Sequence, residues 1–382
     1  MQYKNLLPLA VASIVSAQTP SLTDALGSQN STLSSLNALL GSNLELANSF
    51  NNLQNVTILA PSNDALESLT NDSDTVSQFT KSGYLQALLS YHVLNGTYHS
   101  MNFTNESIFI HTALTNSTYS NVTGGQVVEA RLHDNNVTFF TALKQNASIV
   151  TANVNFTGGT IHIIDSLLAI PQNLSDTLSN SNLTAAEGAI MTAKLTDILA
   201  DTHNVTIFAP NNDAFDAIGS IVGNLSADDL TSIVGYHVIN GSINYSADLK
   251  NSTVMAVNGE KITITVNNGT IYANSAKVTV PDILLSNGVV HVIDQVLNPN
   301  NTSAAPDTTA TSATAAFSGA SSGTDGVPFT SGVTTPSTTF PAATSAGGSA
   351  ESSSSSGVAM PMKTGAVGAA ALFGGAAVFV NL

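Results

Sequence analysis

Thr57-Ile58-Leu59-Ala60-Pro61-Ser62-Asn63-Asp64-Ala65-Leu66 returns later in the chain as Thr206-Ile207-Phe208-Ala209-Pro210-Asn211-Asn212-Asp213-Ala214-Phe215, and each copy follows an Asn-Val pair. The β-branched run reads as a short strand. Proline, with no N–H to give a ladder, stops it, and the polar turn that follows offers an aspartate to cap a helix. In the first copy Asp64 and Glu67 also have capping-box spacing.

Two further blocks repeat in the same order. Leu89-Ser90-Tyr91-His92-Val93-Leu94-Asn95-Gly96 comes back as Val234-Gly235-Tyr236-His237-Val238-Ile239-Asn240-Gly241. Ile161-His162-Ile163-Ile164-Asp165-Ser166-Leu167-Leu168 comes back as Val290-His291-Val292-Ile293-Asp294-Gln295-Val296-Leu297. Three ordered blocks in two copies mean a duplicated domain of roughly 130–150 residues, since a solenoid would show many copies at a shorter period.

The local patterns agree with one plan. Leu33, Leu36 and Leu40 lie on one helical stripe, and Ser42 with Glu45, like Thr184 with Glu187, has capping-box spacing ahead of an apolar run. Thr253–Val257, Lys261–Val266 and Thr270–Ala273 alternate with Asn258-Gly259 and Asn267-Asn268-Gly269, which predicts a meander with tight turns; His133-Asp134-Asn135-Asn136 predicts another such turn. The reading is a compact α+β unit, a twisted antiparallel sandwich with small helices packed at its edge.

The Ala-Pro-x-Asn-Asp-Ala-Leu/Phe block, the Tyr-His pair and the His-x-Ile-Asp-x-x-Leu block, in that order, resemble the fasciclin (FAS1) domain across most of residues 20–298. The resemblance implies the same α+β class: two tandem domains, 18–170 and 171–298, each a twisted antiparallel β-sandwich or wedge with small helices at its edge. Its signature residues are Pro61, Asn63, Asp64, Tyr91, His92, His162 and Asp165 in the first copy, and Pro210, Asn212, Asp213, Tyr236, His237, His291 and Asp294 in the second.

Composition narrows the function. With 25 Asp plus Glu against 9 Lys plus Arg, the net charge of −16 speaks against nucleic acid and anionic lipid headgroups as partners, because both need a cationic face. The absence of cysteine removes disulfides, thiolate nucleophiles, iron–sulfur clusters and thiolate zinc sites. About twenty Asn-x-Ser/Thr sequons run from Asn30 to Asn301. Among them Asn55, Asn71, Asn95, Asn136, Asn204, Asn240 and Asn268 are expected to carry N-glycans on a secreted chain. More of them crowd Asn102 to Thr123, an insertion of the first repeat expected to be a glycosylated surface excursion.

Both ends point to the secretory route. Residues 1–17 have Lys4, an apolar run and Val15-Ser16-Ala17 at the cleavage point of a signal peptide, leaving Gln18 first. Residues 299–356 are mainly Ser, Thr, Ala, Gly and Pro, the composition of a disordered, O-glycosylated stalk or of a flexible linker. Residues 357–382 end in an apolar run with no basic stop-transfer flank beyond Lys363, which reads as a GPI-attachment signal, with Ser355 or a neighbour as the ω residue, in preference to a retained transmembrane helix.

No sequence pattern for catalysis is complete. His92, His162, His237 and His291 could be paired with Asp64, Asp165, Asp213 and Asp294, but a triad lacks its Gly-x-Ser-x-Gly nucleophile elbow, and no His-Glu-x-x-His, P-loop or dinucleotide fingerprint is present. The histidines sit in apolar strand patterns, where a half-buried imidazole bonded to a backbone carbonyl is a sufficient account. Asp228-Asp229 after Ser226 reads as helix capping.

What the resemblance implies instead is adhesion. In animal matrix fasciclin proteins, integrin contact has been assigned to an Asp-Ile segment, a Pro-Asp-Ile segment and the Tyr-His region. Leu195-Thr196-Asp197-Ile198-Leu199, Val280-Pro281-Asp282-Ile283-Leu284 and Tyr236-His237 are similar to these, so Asp197, Ile198, Tyr236, His237, Asp282 and Ile283 are the adhesion candidates. The first domain departs from the pattern, with Leu22-Thr23-Asp24-Ala25-Leu26 and no Pro-Asp-Ile between Val150 and Thr160. A Ser/Thr stalk, a GPI signal and dense sequons look like a fungal-type surface protein.

The expected function is therefore adhesion at the cell surface, in the extracellular matrix or in the cell wall. The expected partner is a surface or matrix protein or a wall polysaccharide. The chain would meet the membrane through its GPI lipid, without cofactor, metal or nucleic acid. The alternatives are a cell-wall hydrolase acting on glycans or esters, and a passive wall spacer.

Overall fold

In the computed structural model, which describes residues 19–69, 83–306, 316–324 and 326–334, the β-branched run before each proline is a strand, Val56–Pro61 in the first domain and Val205–Pro210 in the second. Each pairs parallel with the His-x-Ile-Asp strand, Gly159–Ile164 or Gly288–Ile293, so that Pro61 faces Ile164 and Pro210 faces Ile293. On its other side lies the short antiparallel strand that follows the Tyr-His pair, Val93–Asn95 or Val238–Asn240. The first and third sequence blocks are thus adjacent strands. A Cβ on Gly159 or Gly288 would stand 1.9 or 2.0 Å from the carbonyl oxygen of Val56 or Val205, which is why glycine opens each of these strands.

Each domain completes a seven-stranded sheet with the same strand order. In the second domain the run continues from Gly288–Ile293 through Ala276–Leu285, Thr270–Ala273 and Lys261–Asn267 to Ser252–Met255, all antiparallel. The parallel pair makes the sheet mixed, where alternation alone predicts a purely antiparallel one. The expected tight turns are present: Asp134 and Asn135, and Asn268 and Gly269, all take positive φ between paired strands.

The parallel strands are buried along their length, with only Gly159 half-buried, because each of their faces meets a different core. Ile58, Ala60, Ile161 and Ile163 pack with Leu33, Leu36 and Leu40 of the helix Asn30–Ser42, whereas Leu59 and Ile164 pack with Phe139 and the meander. The second domain repeats the division, with Ile207, Ala209, Val290 and Val292 on the helical side and Phe208 and Ile293 on the other.

The turn after each proline differs from its expected form. Ser62 and Asn211, not Asp64 and Asp213, are the caps, accepting from Ala65 N–H at 3.2 Å and Ala214 N–H at 2.8 Å. The aspartates stand exposed in the first helical turn, where their charge suits the dipole. Asn63 and Asn212 are clamps: their Oδ1 atoms accept from Ser35 N–H (2.9 Å) and Ala185 N–H (3.1 Å), and their Nδ2 groups donate to Ser31 O (3.1 Å) and Asn182 O (3.0 Å). Two other expected boxes also resolve differently. Asn43, one residue beyond Ser42, caps the helix Leu44–Asn51, and Glu187 turns away from Thr184 to accept from Ser175 and Ser179 of the preceding helix. Ser226 and Asp229 do form a capping box.

The insertion within 102–123 does not end in solvent. Asn121 N–H donates to Ser286 O at 2.6 Å, Thr123 N–H donates to Asn204 Oδ1 at 3.0 Å, and His203 lies between Asn121 Oδ1 (2.6 Å) and Thr123 Oγ1 (2.8 Å). Beside this polar seam Phe109 stacks on Tyr245 at 4.0 Å, against Val127, Leu284 and Val289. Tyr245 Oη is buried without a hydrogen-bond partner. Tyr245→Phe should therefore raise the unfolding free energy by up to about 1 kcal/mol, by relieving an unpaired buried hydroxyl. Tyr245→Ala should separate the unfolding of the two domains into two calorimetric transitions.

The stretch 299–356, expected to lack order throughout, is docked in part. Phe317, Ala320, Val327 and Phe329, scarce apolar residues in a polar run, pack against the helical core of the second domain. Four side chains in the right places outweigh the average composition. The expected signal peptide, Asn71, Ser355 and the segment 357–382 lie outside the described residues. Among the described residues no helix is long and apolar enough to cross a membrane.

Candidate functional site

Each Tyr-His pair ends a helix, Tyr84–Tyr91 or Ala227–Tyr236, and ties it to the segment beyond the last strand. His92 Nδ1 is 2.7 Å from Leu88 O, and its Nε2 accepts from Leu168 N–H at 3.0 Å. His237 repeats this with Ile233 O at 2.7 Å and Leu297 N–H at 2.9 Å. A carbonyl can only accept and an amide N–H can only donate, so each ring carries its proton on Nδ1 and is neutral. Burial pushes both imidazoles down to about 4, against the smaller opposing effect of the carbonyl bond. Leu168 and Leu297 are the last residues of the third block, so the second and third blocks are bonded directly.

The tyrosines are anchored as firmly. Tyr91 Oη donates to Val127 O at 2.9 Å; Tyr236 Oη donates to Lys261 O at 2.7 Å and accepts from Asn274 Nδ2 at 2.8 Å. Burial raises both phenols above their ordinary value. Neither is free to act as an acid or a base.

His162 and His291 serve a second device. Their Nε2 atoms donate to Tyr98 O and Asn244 O, both at 2.8 Å, and their Nδ1 atoms accept from Asn153 N–H (3.2 Å) and Asp282 N–H (3.3 Å). Asn153 and Asp282 are equivalent bulge residues with φ of 60° and 61°. Asn153 exchanges bonds with Ser100, its Oδ1 accepting from the N–H at 2.9 Å and its Nδ2 donating to Oγ at 2.9 Å. The Asp282 carboxylate accepts from Ser246 N–H at 2.8 Å and from the Ser246 hydroxyl. Asp165 and Asp294 pin the strand alongside, accepting from Ser148 N–H and Lys277 N–H, both at 2.8 Å. Burial raises the Asp294 carboxyl, opposed by its backbone hydrogen bonds.

The six adhesion candidates therefore divide. Tyr236 and His237 are buried, and Asp282 and Ile283 are each 1% exposed. These four cannot offer side chains to a partner in this fold. Asp197 and Ile198 are displayed, Ile198 at 61% exposure, because the helix Thr196–Asp201 turns Leu199 into the core and leaves the preceding positions outside. Met191 stands exposed on the helix just before. In the first domain the helix in the same place between its neighbours is Leu44–Asn51, so Leu22-Thr23-Asp24 is the counterpart of the helix Leu174–Asn180 and not of the Asp197 segment.

The sequons also differ in setting. Asn55, Asn95, Asn136, Asn240 and Asn268 are exposed. Three sequons commit Nδ2, the atom a glycan would occupy: Asn95 donates to Thr112 O at 3.2 Å, Asn136 to Ile149 O at 3.0 Å, and Asn204 to Thr123 Oγ1 at 2.7 Å, the last across the domain seam. Reasoning from sequence did not single out Ser246, Asn153, Asn244 or Asn274, whose partners lie far away in the chain.

Comparison with known proteins gives a consistent picture. A family model described as the fasciclin domain matches residues 31–171 and 181–299. A fasciclin-like arabinogalactan protein of Arthroderma benhamiae is 33% identical over 315 residues, covering 81% of this chain and 74% of its own. The fasciclin-like arabinogalactan protein elcF of Phaeosphaeria nodorum is 31% identical over 285 residues, covering 73% and 90%. A solved FAS1 domain pair from the insect cell adhesion molecule Fasciclin I covers 70% of this chain and 97% of its own, at 20% identity and a TM-score of 0.34.

Proposed function

The chain belongs to the fasciclin domain family, and from that premise we propose that it is a secreted, N-glycosylated, GPI-anchored protein that works by adhesion at the cell surface or in the cell wall. The observation that carries this reading is the saturation of the motif histidines. All four bond through both ring nitrogens, three of them only to backbone groups and His291 also with Asp282 beside it, so none of these four imidazoles is left for a substrate or a nucleophile. The polar chemistry of the motifs is spent inside the fold. What remains available is surface, and two tandem copies let weak contacts add through effective concentration.

The fungal relatives with fasciclin-like arabinogalactan names support the setting. The partner would be a surface or matrix protein or a wall polysaccharide, met at least in part by Asp197 and Ile198. Beads carrying the mature chain should be retained by isolated cell walls or neighbouring cells, without release of reducing sugar or ester product. Phospholipase C specific for phosphatidylinositol should free the protein from intact cells. Retention equal to that of uncoated beads, or turnover of wall polymer, would remove the adhesive reading. In the same assay Ile198→Ser should lower retention several-fold, because burying one exposed isoleucine is worth about 2 kcal/mol, while thermal unfolding stays where it was.

A further inference from the structure

After Asn298 the chain returns to the domain it has just left. Ala316 O accepts from Asn298 Nδ2 at 2.9 Å, and residues 316–324 and 326–334 then cross the helical side of the second domain. Phe329 meets Phe215 edge-on, with ring centres 5.9 Å apart and planes at 79°. The backbone is held too: Ser220 N–H donates to Ser321 O and Ser321 N–H donates to Ser220 Oγ, both at 3.0 Å.

Two glycines make room for this crossing. A Cβ on Gly188, inside the helix Thr184–Thr192, would stand 1.7 Å from Phe329 O, and one on Gly219 would stand 2.5 Å from Gly323 N. A glycine in a helix interior weakens the helix relative to alanine, and here the missing side chain is what lets another backbone approach. Among the described residues the first domain lacks the helix glycine of this seat. Aligned on the shared clamp, in which Asn63 holds Ser35 and Asn212 holds Ala185, the position of Gly188 is taken by Ala38, which is exposed and carries the methyl group that Gly188 lacks.

We propose that this face of the second domain is a peptide-binding groove for a turn-rich segment of small residues carrying an aromatic side chain, and that the chain's own residues 316–324 and 326–334 are its resident ligand. The aromatic ring supplies the apolar anchor, the paired Ser220–Ser321 contacts set the register, and Gly188 and Gly219 admit the main chain. While the segment is in place, no other peptide of this kind can enter.

Gly188→Ala separates this from a passive covering. The substitution favours the helix itself and copies the residue of the first domain, yet its methyl group occupies the place of Phe329 O. In the full chain, chymotrypsin should cut next to Phe317 at least tenfold faster in Gly188→Ala than in the parent, with the circular dichroism of the domains unchanged. A second variant, Phe329→Ser, should open the groove without altering it, so that a fluorescent peptide spanning 316–334 binds the full-length Phe329→Ser chain and fails to bind Phe329→Ser/Gly188→Ala. Equal cleavage in Gly188→Ala and parent, or no peptide binding by the Phe329→Ser chain, would overturn the proposal.

Discussion

Lowering the pH from 6.5 to 4 is expected to take about 3 kcal/mol from the stability of each domain through His92 and His237 alone. Both rings are held neutral in the fold, near 4, whereas in the unfolded chain they titrate at 6.5. Between those values the unfolded state binds a proton that the folded state does not, so unfolding becomes more favourable as pH falls. The contribution is fully present above about pH 6.5 and is lost on the way down to about 4, below which the slope from these groups ends. Burial moves His162 and His291 in the same direction, so they add to the same loss. Urea midpoints measured across this window should fall steadily in both domains. His237→Gln, whose amide can donate and accept but not titrate, should lower the plateau near neutrality and flatten the slope of the second domain only. A stability profile level between pH 6.5 and 4 would show that the rings are solvated and that their bonds to Leu168 N–H and Leu297 N–H are not formed.

Asp282→Ala should destabilise the second domain by about 3–4 kcal/mol. The change removes two charge-assisted hydrogen bonds to Ser246, leaves the Ser246 N–H and hydroxyl without that partner, and puts an alanine where φ is 61°. Asp282→Asn should cost far less, because the first domain uses asparagine for the same task at Asn153. Differential scanning calorimetry reads the contrast, and a neutral Asp282→Ala would contradict the bonding described. It follows that loss of adhesion in an Asp282→Ala protein would report unfolding and not contact.

Much of the fold is legible because its signature residues recur. Duplication marks Pro61, Asn63, Tyr91, His92, His162 and Asp165 as one set, and strand and helix periods place them on elements. Their roles are less legible, since the bonds that define them span the chain: His92 reaches Leu168 and His237 reaches Leu297. Capping boxes mislead for a related reason. Thr184 and Glu187 have the right spacing, yet Glu187 gains more from two serines on a neighbouring helix than from its own backbone. Pro281-Asp282-Ile283 looks like a displayed turn in one dimension, and only the bulge beside His291 shows that it points inward. The docked tail escapes composition because Phe317, Val327 and Phe329 are too widely spaced to form a period, and its local signals are two helix glycines, Gly188 and Gly219.

Burial against display is the point on which the adhesive reading turns, and two folded variants decide it. Retention of the soluble tandem on cell walls should be unchanged in Asp282→Asn, whose side chain is 1% exposed, and reduced at least tenfold in Asp197→Ala/Ile198→Ser, with unfolding temperatures of the surface variant matching the parent. Loss of retention in Asp282→Asn together with full retention in Asp197→Ala/Ile198→Ser would contradict the account.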